Sequence, residues 1–509
     1  MELEKALLHY FGYESFREGQ KEIITSLMDG VDVIAMLPTG TGKSICYQLP
    51  AILSEGVTII VSPLLSLMED QVQQLRSEGI KDVVAINSFM NREDREIVLQ
   101  QLHTYKMIYL SPEMLQSPFV LSKIKKLKIT YFVVDEAHCI SQWGHDFRPD
   151  YLRLDAVLHT LGRPTCLAIT ATATTEVQQD ISKQLALRNP NYYIYSVDRP
   201  TISYQVEKCQ NAQEKIERIK DLVQNLQGPG MIYFSSRMWA ENISNLLKQA
   251  GVKRVAYYHG GLSTEDRLLL QQQFMSGQIE LICCTSAFGM GINKKDIRYV
   301  IHFHYPIDLE SYVQEIGRAA RDGNSAAAIL LYCEEDQGLV NMLLERELLT
   351  DEQLYQLLAH LQKHSELEDN KEQELVQFMQ INEVSWRTIR YQLETRGVLK
   401  KHRVYPFSMD SLFESIRQEE QERMQNKQKN LASFLRWIRT KTCRREKLLL
   451  YFNEQLEKHP SNCCDNCGAN LTNFKRAVGR EDSPVLIPWR EALSDLFRQN
   501  EMRNNEKTT

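Results

Sequence analysis

The first residues with recognisable chemistry form a glycine-rich loop, Pro38-Thr39-Gly40-Thr41-Gly42-Lys43-Ser44, between an apolar run and a helical segment. Glycines let backbone N–H groups turn toward phosphates without interference from a Cβ. A lysine here reaches the β- and γ-phosphates, and the Ser44 hydroxyl is suited to bind Mg²⁺. The common form of such a loop has another glycine five positions before Gly42, where this chain has Leu37. The remaining residues still predict a nucleotide site.

A second motif is the apolar run "YFVVDEAH", which ends in two acids. We predict that Asp135 holds Mg²⁺ and that Glu136 polarises the attacking water. A pair of acids at a strand end is often only solvated, but here a lysine-serine loop precedes it by about 90 residues. The two motifs together favour phosphoryl-transfer chemistry.

A third motif, "YVQEIGRAARDG", contains the remaining catalytic candidates, Gln314, Arg318 and Arg321. The two arginines are three positions apart, so we expect them on one face of a helix. Arginines brought to a γ-phosphate from a second lobe contribute about 10³–10⁵ in rate. A site divided across a cleft in this way is typical of a motor protein.

Four of the eleven cysteines fall within 25 residues, at Cys443, Cys463, Cys464 and Cys467. Four thiolates complete a tetrahedral zinc site with no open position, which predicts a structural Zn²⁺. Because Cys463 and Cys464 are adjacent, Cys463 is the member most in need of a test, and His459 is the nearest alternative ligand.

The elements that must position these motifs are readable from the sequence. In the first 200 residues, β-branched runs such as "DVIAML" and "TYFVVDE" alternate with helical segments, and the pattern restarts with "GMIYFSS". This alternation predicts two α/β lobes with mostly parallel sheets and a boundary near residues 196–204. Helices are expected to begin after Ser62 (with Pro63 in the first turn), Ser236 and Ser263, and to stop at Gly79, Gly251 and Gly277.

From about Asp336 the strand pattern gives way to helices. The segment "ELVQFMQINEVSWRTIRYQLETRGVLKK" fits a helix–turn–helix ending in a short wing, and it fits a plain helical bundle equally well. Residues 421–450 contain nine Lys/Arg against two Glu, which indicates either a solvated helix face or a DNA-facing one. The polar C-terminal tail is predicted to be partly disordered.

The 509 residues suggest about three domains, and the net charge of −6 does not itself indicate a polyanion partner. No apolar run approaches the roughly 20 residues of a membrane span. The start "MELEKALLHY" lacks a signal-peptide pattern, so we expect an intracellular protein.

These motifs together resemble those of RecQ-family DNA helicases of superfamily 2, from Leu3 to about Cys467. The two-glycine loop is that superfamily's usual form. "FGYESFREGQ" resembles its adenine-reading segment, which implies that Tyr13 stacks on the base, Gln20 reads the base edge and Arg17 assists. "SPLLSLMEDQ", "ITATAT", "YFSSR" and "TSAFGMGINKKDIRYVIHF" resemble its DNA-facing and coupling motifs. Ala320 stands where many relatives have glycine, and we expect it to be tolerated because helices favour alanine.

The segment "CISQWGHDFRPDY" resembles the family's aromatic-rich loop, which couples single-strand binding to ATP hydrolysis. Aromatic faces stack on bases at about 1–3 kcal/mol each, and arginine contacts phosphate. The DNA-binding candidates are Trp143, His145, Phe147 and Arg148. A buried loop with core aromatics is the structural alternative. With the loop placed near DNA, the basic run before the zinc cysteines is predicted to be a DNA-facing helix pair.

The resemblance implies two tandem RecA-like parallel-sheet lobes followed by a helical zinc-binding region. The expected domains are an ATP-binding lobe 1 (1–197), lobe 2 (198–340), a helical, winged-helix-like linker (341–407), the zinc-binding region (408–470) and the tail (471–509). The resemblance is to the short bacterial form, which lacks the winged-helix domain beyond the zinc region that carries a duplex-wedging hairpin in relatives. It therefore leaves the strand-separating element unassigned.

The function that the resemblance implies is an ATP-dependent 3′→5′ DNA helicase in recombination, repair and replication, with ATP, Mg²⁺ and a structural Zn²⁺. Expected partners are single-stranded and branched DNA and single-strand-binding protein, with a monomeric motor, no membrane, and a cytoplasmic location at the nucleoid if the source is bacterial. The alternatives are an RNA helicase of the same superfamily and a zinc DNA-binding adaptor without motor activity. "TAT" in place of "SAT", the aromatic loop and the cysteines disfavour the RNA enzyme.

Overall fold

A computed structural model describes residues 3–476 except 64, 88–89, 142–146, 289–293 and 346–347. The predicted disordered tail lies mostly outside the described residues. The described chain forms two parallel sheets and a helical C-terminal region, which confirms the predicted α/β class with tandem lobes. No helix among these residues is both long and apolar enough to cross a membrane.

Lobe 1 is built on a seven-stranded parallel sheet in the order β3-β4-β2-β5-β6-β1-β7. Its strands are β1 (Val33–Met36), β2 (Val57–Val61), β3 (Val83–Ile86), β4 (Met107–Leu110), β5 (Ile129–Asp135), β6 (Thr165–Thr170) and β7 (Asn191–Ile194). Its helices are α1 (Leu3–Phe11), α2 (Gln20–Met28), α3 (Ile45–Leu53), α4 (Leu65–Ser77), α5 (Arg92–Gln100), α6 (Pro112–Leu115), α7 (Pro118–Ile124), α8 (Leu154–Thr160) and α9 (Thr175–Gln184). The central strands are continuous apolar runs because side chains on both faces of the sheet are buried.

Lobe 2 repeats the plan with six parallel strands in the order β10-β11-β9-β12-β13-β8. Its strands are β8 (Ile202–Lys208), β9 (Gly230–Tyr233), β10 (Val255–Tyr258), β11 (Leu281–Cys284), β12 (Tyr299–His302) and β13 (Ala326–Tyr332). Its helices are α10 (Ala212–Asn225), α11 (Arg237–Gln249), α12 (Thr264–Met275) and α13 (Leu309–Ile316).

Two strands, β7 and β8, were not predicted, and they flank the segment that joins the lobes. β7 is an edge strand with mostly exposed side chains, so it lacks the apolar run that identifies the central strands. β8 begins at Ile202, inside the stretch interpreted as the domain boundary, and pairs with β13 at the other sheet's edge. The connection between the sheets is therefore shorter than predicted and covers residues 195–201.

Most of the predicted helix ends are confirmed. The hydroxyls of Ser236 and Ser263 accept hydrogen bonds from the backbone N–H three residues on, and Gly79 is left-handed with φ +90°. The predicted cap at Ser62 is wrong. The Ser62 N–H instead donates to the Leu110 carbonyl and continues β2, and the helix begins at Leu65.

Up to residue 476, the described part of the C-terminal region contains six α-helices and one hairpin of very short strands. The helices are α14 (Asp336–Glu345), α15 (Asp351–Lys363), α16 (Asp369–Phe378), α17 (Glu383–Thr395), α18 (Met409–Ile438) and α19 (Arg444–Tyr451), and the antiparallel strands are β14 (Leu399–Lys400) and β15 (Arg403–Val404). Helices α15 to α17 and the hairpin share a separate core. This arrangement has the helix–turn–helix and wing order that the sequence offered as one alternative.

Helix α18 joins two cores. Its start contributes Leu412 and Ile416 to the core of α15 to α17, whereas its C-terminal half and α19 pack on lobe 2. Trp437 and Phe434 of α18 stack near Tyr312 of α13, with ring centroids 5.0 and 5.4 Å apart. The N–H of Tyr204 in β8 donates to the carbonyl of Cys463 at 3.2 Å. The region that contains the cysteines is thus continuous with the core of lobe 2.

Asp32 fixes the start of β1 and gives a test of lobe 1. Its carboxylate, 6% exposed, accepts from Arg163 Nη2 at 3.1 Å and from the N–H groups of Cys166 and Arg188 at 2.8 Å each. Asp32→Ala leaves a buried guanidinium without its acid, at a cost of about 3–5 kcal/mol. We expect calorimetry to show a melting transition of lobe 1 lowered by roughly 10 °C.

The matched control is Asp29→Ala, an exposed aspartate three residues earlier. It should shift the transition very little, by at most about 0.5 kcal/mol. Equal melting temperatures for the two variants would contradict the role assigned to Asp32.

Candidate functional site

The phosphate loop connects β1 to α3 and has two left-handed glycines. Gly40 has φ +87° and Gly42 has φ +80°, conformations in which other residues are strained. A Cβ on Gly42 would lie 3.0 Å from the Gln20 side-chain nitrogen, and one on Gly40 would lie 3.1 Å from Arg321. The loop therefore needs glycine both for its backbone and for close approach from neighbouring segments.

Gln20 and Arg17 connect the predicted adenine-reading segment to this loop. Gln20 Nε2 donates to the carbonyls of Thr41 and Gly42 at 3.0 Å each, and Arg17 Nη1 donates to the Gly40 carbonyl at 2.5 Å. The structure thus directs these two side chains to the loop backbone. Tyr13 lies in the same cleft and is about half exposed.

The two acids lie where the sequence predicts, at the C-terminal end of β5. Glu136 Oε1 is 3.9 Å from the Lys43 ammonium, and Glu136 has a left-handed backbone with φ +49°. Burial raises the pKa of Asp135, the Glu136 charge raises it further, and Lys43 lowers it in part. A cation beside Asp135 would relieve this cost, which fits a Mg²⁺ ligand.

The prediction that Arg318 and Arg321 lie on a helix is wrong. Helix α13 ends at Ile316, and Arg318 and Arg321 occupy the turn that follows. This turn still brings both arginines to the cleft. Burial, together with the nearby charges of Arg318 and Arg199, lowers the pKa of Arg321 to about 9.

The helical conformation expected at Ala320 is also wrong. Its φ is +55°, a left-handed conformation that favours glycine over alanine. Its N–H donates to the Ile297 carbonyl at 3.0 Å, and its own carbonyl accepts from Arg199 Nη2 at 2.9 Å. Hydrogen bonds on both sides hold alanine in this strained position.

The cleft between the lobes has a volume of about 420 Å³, within the range of small-molecule sites. Lobe 1 lines it with the predicted side chains Tyr13, Arg17, Gln20, Thr39, Gly40, Thr41, Gly42, Lys43, Ser44, Asp135 and Glu136. Lobe 2 lines it with Gln314, Arg318 and Arg321, and with Lys295, which was not predicted as a site residue although it lies in a quoted motif.

The residues fit a magnesium–nucleotide complex. The cleft lining has five cationic side chains against four acids; the cations are Arg17, Lys43, Lys295, Arg318 and Arg321, and the acids are Glu78, Asp135, Glu136 and Asp322. Within the described part of the chain, Arg318 Nε is buried without a hydrogen-bond partner. A polyphosphate would supply both the missing negative charge and the missing acceptor.

Two of the four predicted DNA-binding residues, Trp143 and His145, lie outside the described residues. Arg148 Nη1 donates to the carbonyl of Pro63 at 2.8 Å. Phe147 is partly buried, with the Arg423 guanidinium 5.4 Å from its ring centroid. The described end of the aromatic loop thus contacts the "SPLLSL" segment and α18.

The basic run at residues 421–450 is not one DNA-facing surface. Arg423, Arg444 and Arg445 are buried, and each forms an ion pair, with Glu420, Asp465 and Asp198 respectively. Only part of the run is exposed, including Lys429, Arg436 and Lys441. Much of the local positive charge serves tertiary structure.

The four cysteines converge, with all sulfur atoms within 4.8 Å of one another. The sulfurs of Cys443 and Cys463 are 3.6 Å apart, close to the edge of about 3.8 Å expected for tetrahedral zinc with Zn–S bonds of about 2.3 Å. The Arg444 N–H donates to the Cys464 sulfur at 3.4 Å, as expected for a thiolate. His459 Nδ1 lies 3.9 Å from two of the sulfurs. This donor set fits a closed Zn²⁺ site.

Three family models match successive parts of the chain. A DEAD/DEAH box helicase model matches residues 17–181, a helicase conserved C-terminal domain model matches residues 214–323, and a RecQ zinc-binding model matches residues 406–468. The matches cover the lobe with the phosphate loop, the lobe with the arginine turn and the region with the cysteines.

Among solved structures, the chain is similar to the Mycobacterium smegmatis helicase Lhr, with a TM-score of 0.55 and 19% identity over 65% of this chain and 47% of that one. It is also similar to the DEAD-box helicase Mss116, with a TM-score of 0.56 and 18% identity over 79% of this chain and 93% of that one. At these identities the similarity shows the fold of the two lobes.

Sequence relatives give a closer match. The chain is 43% identical to the probable ATP-dependent DNA helicase RecS of Bacillus subtilis over 97% of this chain and 98% of that protein. It is 42% identical to the ATP-dependent DNA helicase RecQ of Haemophilus influenzae, covering 66% of this chain and only 54% of that longer protein. Identity at this level along nearly the full length of the first relative, with a RecQ zinc-binding model in the expected place, shows that the chain belongs to the RecQ family of ATP-dependent DNA helicases.

Proposed function

We propose that this chain hydrolyses ATP in the cleft between its lobes and uses the resulting change in lobe contact to move 3′→5′ along single-stranded DNA and unwind it. One observation supports this most strongly. The phosphate loop and acid pair lie on one side of the cleft and two arginines lie on the other. Hydrolysis that needs both sides is coupled to closure of the lobes.

Each predicted residue has a role in this reaction. Tyr13 stacks on the base, while Gln20 and Arg17 tie the base-reading segment to the phosphate loop. Lys43 neutralises the β- and γ-phosphates, and Ser44 and Asp135 hold Mg²⁺. Glu136 positions the water. Arg318 and Arg321, supported by Gln314, stabilise the transition-state charge.

Trp143, His145, Phe147 and Arg148 are proposed to contact single-stranded DNA and report its presence to the cleft. The link to the cleft is short, because the Tyr151 hydroxyl, three residues after Arg148, donates to the Asp135 carbonyl at 3.2 Å. Branched DNA as substrate, a monomeric motor, contact with single-strand-binding protein and a location at the nucleoid are further parts of this proposal.

Nucleic-acid preference tests the proposed function. ATP hydrolysis should rise with single-stranded DNA and much less with RNA of the same sequence. Lys43→Ala should reduce the stimulated rate at least about 100-fold, because the phosphates lose an oriented cation. Steady-state ATPase titrations with both polymers measure this. Stronger stimulation by RNA would favour an RNA helicase, and a stimulated rate that survives Lys43→Ala would exclude ATP hydrolysis at this loop.

We propose that Cys443, Cys463, Cys464 and Cys467 together hold the Zn²⁺. The ion would link the end of α18, the start of α19 and the loop after it. The second alternative from the sequence, a zinc DNA-binding adaptor without a motor, is disfavoured because no position of the nucleotide site is lost.

Metal analysis tests the ligand set. Cys463→Ser should lower the zinc content from about one per chain to near zero and should make residues 408–470 sensitive to protease. His459→Ala, the matched control at the alternative position, and Cys283→Ser in buried β11 should both keep the zinc. Full zinc in Cys463→Ser together with its loss in His459→Ala would assign the fourth ligand to the histidine.

For the unit of residues 341–407 we propose a DNA-contacting role through its hairpin, which supplies a candidate for the unassigned strand-separating element. The hairpin end is a run of exposed basic residues, Lys400, Lys401, His402 and Arg403. Lys400 and Arg403 flank the ring of Tyr405, with their charged groups 5.3 and 5.6 Å from its centroid. Positive charge beside an aromatic face suits a duplex end.

Helix α17 is less suited to this contact because its arginines are already paired. Arg387 contacts Glu113 and Asp150 of lobe 1 at 3.1 Å each, and Arg390 contacts Glu372 and Glu394. The pairs of Arg387 hold the unit against lobe 1, and those of Arg390 lie within the unit, which leaves the hairpin as its basic projection.

A pair of double variants tests the hairpin. Lys400→Ala/Lys401→Ala should lower affinity for duplex-containing DNA by roughly tenfold, reduce the salt dependence of binding by about two charges, and slow unwinding. ATPase stimulated by single strands should change by less than about twofold, since the cleft is untouched. The matched control is Lys125→Ala/Lys126→Ala, two exposed lysines in lobe 1. Equal unwinding by the two variants would remove the hairpin from the mechanism.

A further inference from the structure

The segment that joins the two sheets contains an arginine that contacts both lobes. Arg199 Nη1 donates to the Thr39 carbonyl of the phosphate loop at 2.7 Å and to the Gly317 carbonyl at 3.1 Å. Arg199 Nη2 donates to the carbonyls of Ala319 and Ala320 at 3.0 and 2.9 Å. One planar guanidinium therefore connects lobe 1 to the turn that contains the two cleft arginines.

Three of the four carbonyl acceptors lie just beyond the C-terminus of α13. Gly317, Ala319 and Ala320 follow the last turn of α13, where carbonyls lack helical partners and the helix dipole is negative. A direct contact reinforces the junction, because the Thr39 hydroxyl donates to the same Gly317 carbonyl at 2.7 Å. A cationic donor such as a guanidinium suits this position because it is surrounded by carbonyl oxygens at the negative end of the helix.

Arg199 acts through these groups rather than on a bound nucleotide. The described residues that line the cleft include Thr39, Arg318 and Arg321 but not Arg199. Its bonds are to four backbone carbonyls of the phosphate loop and the arginine turn and to the Thr39 hydroxyl. Removing it would shift two catalytic segments without removing any cleft side chain.

The zinc-binding region holds the segment from the other side. Arg445, fully buried, contacts the Asp198 carboxylate and the Ile202 carbonyl and donates to the Arg199 carbonyl at 3.0 Å. Its guanidinium lies 4.6 Å from the Tyr204 ring centroid. It follows Cys443 of the sulfur cluster by two residues. Glu454 adds a hydrogen bond from the Val197 N–H at 3.1 Å.

We infer that Arg199 is a positioning residue that fixes the arginine turn of lobe 2 against the phosphate loop of lobe 1, and that Arg445 couples the zinc-binding region to this junction. The role rests on the proposed function, ATP hydrolysis in the cleft. The contact through Arg445 gives the zinc-binding region a second role, in addition to its own folding. An intact zinc-binding region keeps the connection between the lobes in the conformation that closes the site.

The kinetic test compares Arg199→Ala with Arg188→Ala, an exposed arginine of lobe 1. Arg199→Ala should lower kcat for DNA-stimulated ATP hydrolysis by roughly 10- to 150-fold, the range for losing hydrogen bonds to a charged donor. KM and the affinity for a fluorescent ATP analogue should change by less than about threefold, because the groups that bind nucleotide remain. The kcat of Arg199→Lys should lie between those of the parent chain and Arg199→Ala, because an ammonium is cationic but lacks the planar fork of a guanidinium. A kcat equal to that of Arg188→Ala would overturn the inference.

Hydrogen exchange of the full chain without nucleotide gives a readout that does not depend on activity. Amides of residues 39–42 and 317–320 should exchange faster in Arg199→Ala than in the parent chain, and peptides elsewhere should be unchanged. If the parent chain hydrolyses no ATP, the proposed function fails, whereas this measurement still decides the role of Arg199. If Arg199→Ala does not fold, Arg199→Lys is measured in the same way. Unchanged exchange at both segments would overturn the inference.

Arg445→Lys tests the coupling to the zinc-binding region. This variant should keep one zinc per chain by metal analysis. Amide hydrogen exchange at residues 195–201 should be faster than in the parent chain, and kcat should fall toward the value of Arg199→Ala. A fall in kcat that only follows lost zinc, or normal exchange at residues 195–201 with zinc retained, would overturn the coupling.

Discussion

The concentration of positive charge at the interface between the lobes is the constraint on which the structure depends. Lys43 comes from one lobe, Arg318 and Arg321 come from the other, and Arg199 lies behind them in the connecting segment. The lowered pKa of Arg321 reflects the cost of burying these cations together. An anionic nucleotide removes that cost. Because its phosphates attract cations of both lobes, nucleotide binding and lobe closure depend on the same electrostatic attraction.

The zinc-binding region is best understood as a continuation of lobe 2. Its aromatic side chains pack on α13, the helix that leads into the arginine turn, and Tyr451 donates to Glu310 in the first turn of that helix at 2.7 Å. Two buried arginines of the basic run, Arg444 and Arg445, are part of this packing. A region named for its metal therefore also supports the catalytic turn and the segment between the lobes.

The unit of residues 341–407 has a different relation to the motor. It has its own core, and it contacts lobe 1 through ion pairs such as that of Arg153 with Glu394 at 2.6 Å. Partly exposed ion pairs are weak and sensitive to salt. Contacts of this kind hold the unit against lobe 1 less rigidly than an apolar interface would.

The sequence by itself determined the two parallel-sheet lobes, the phosphate loop, the acid pair and the cysteine set. Each of these depends on residues close together in the chain: an apolar run, a glycine pair, or a Cys-x-x-Cys spacing. Even the missing first glycine did not obscure the loop, because lysine and serine keep the chemistry. The resemblance to RecQ helicases added Tyr13 and Gln20, which periodicity alone would not have identified.

Only the tertiary structure decided which charged side chains stabilise the fold through buried ion pairs and which face the cleft. The bond from Arg199 to Thr39 spans 160 positions and that from Arg445 to Asp198 spans 247, so no local pattern identifies either arginine. The turn at Arg318 and the left-handed Ala320 are set by contacts with Ile297 and Arg199, which override the helical preference of the segment. Edge strands β7 and β8 were missed for a related reason. β7 is mostly exposed and β8 mixes polar residues among its apolar ones, so both are defined by the partners they pair with.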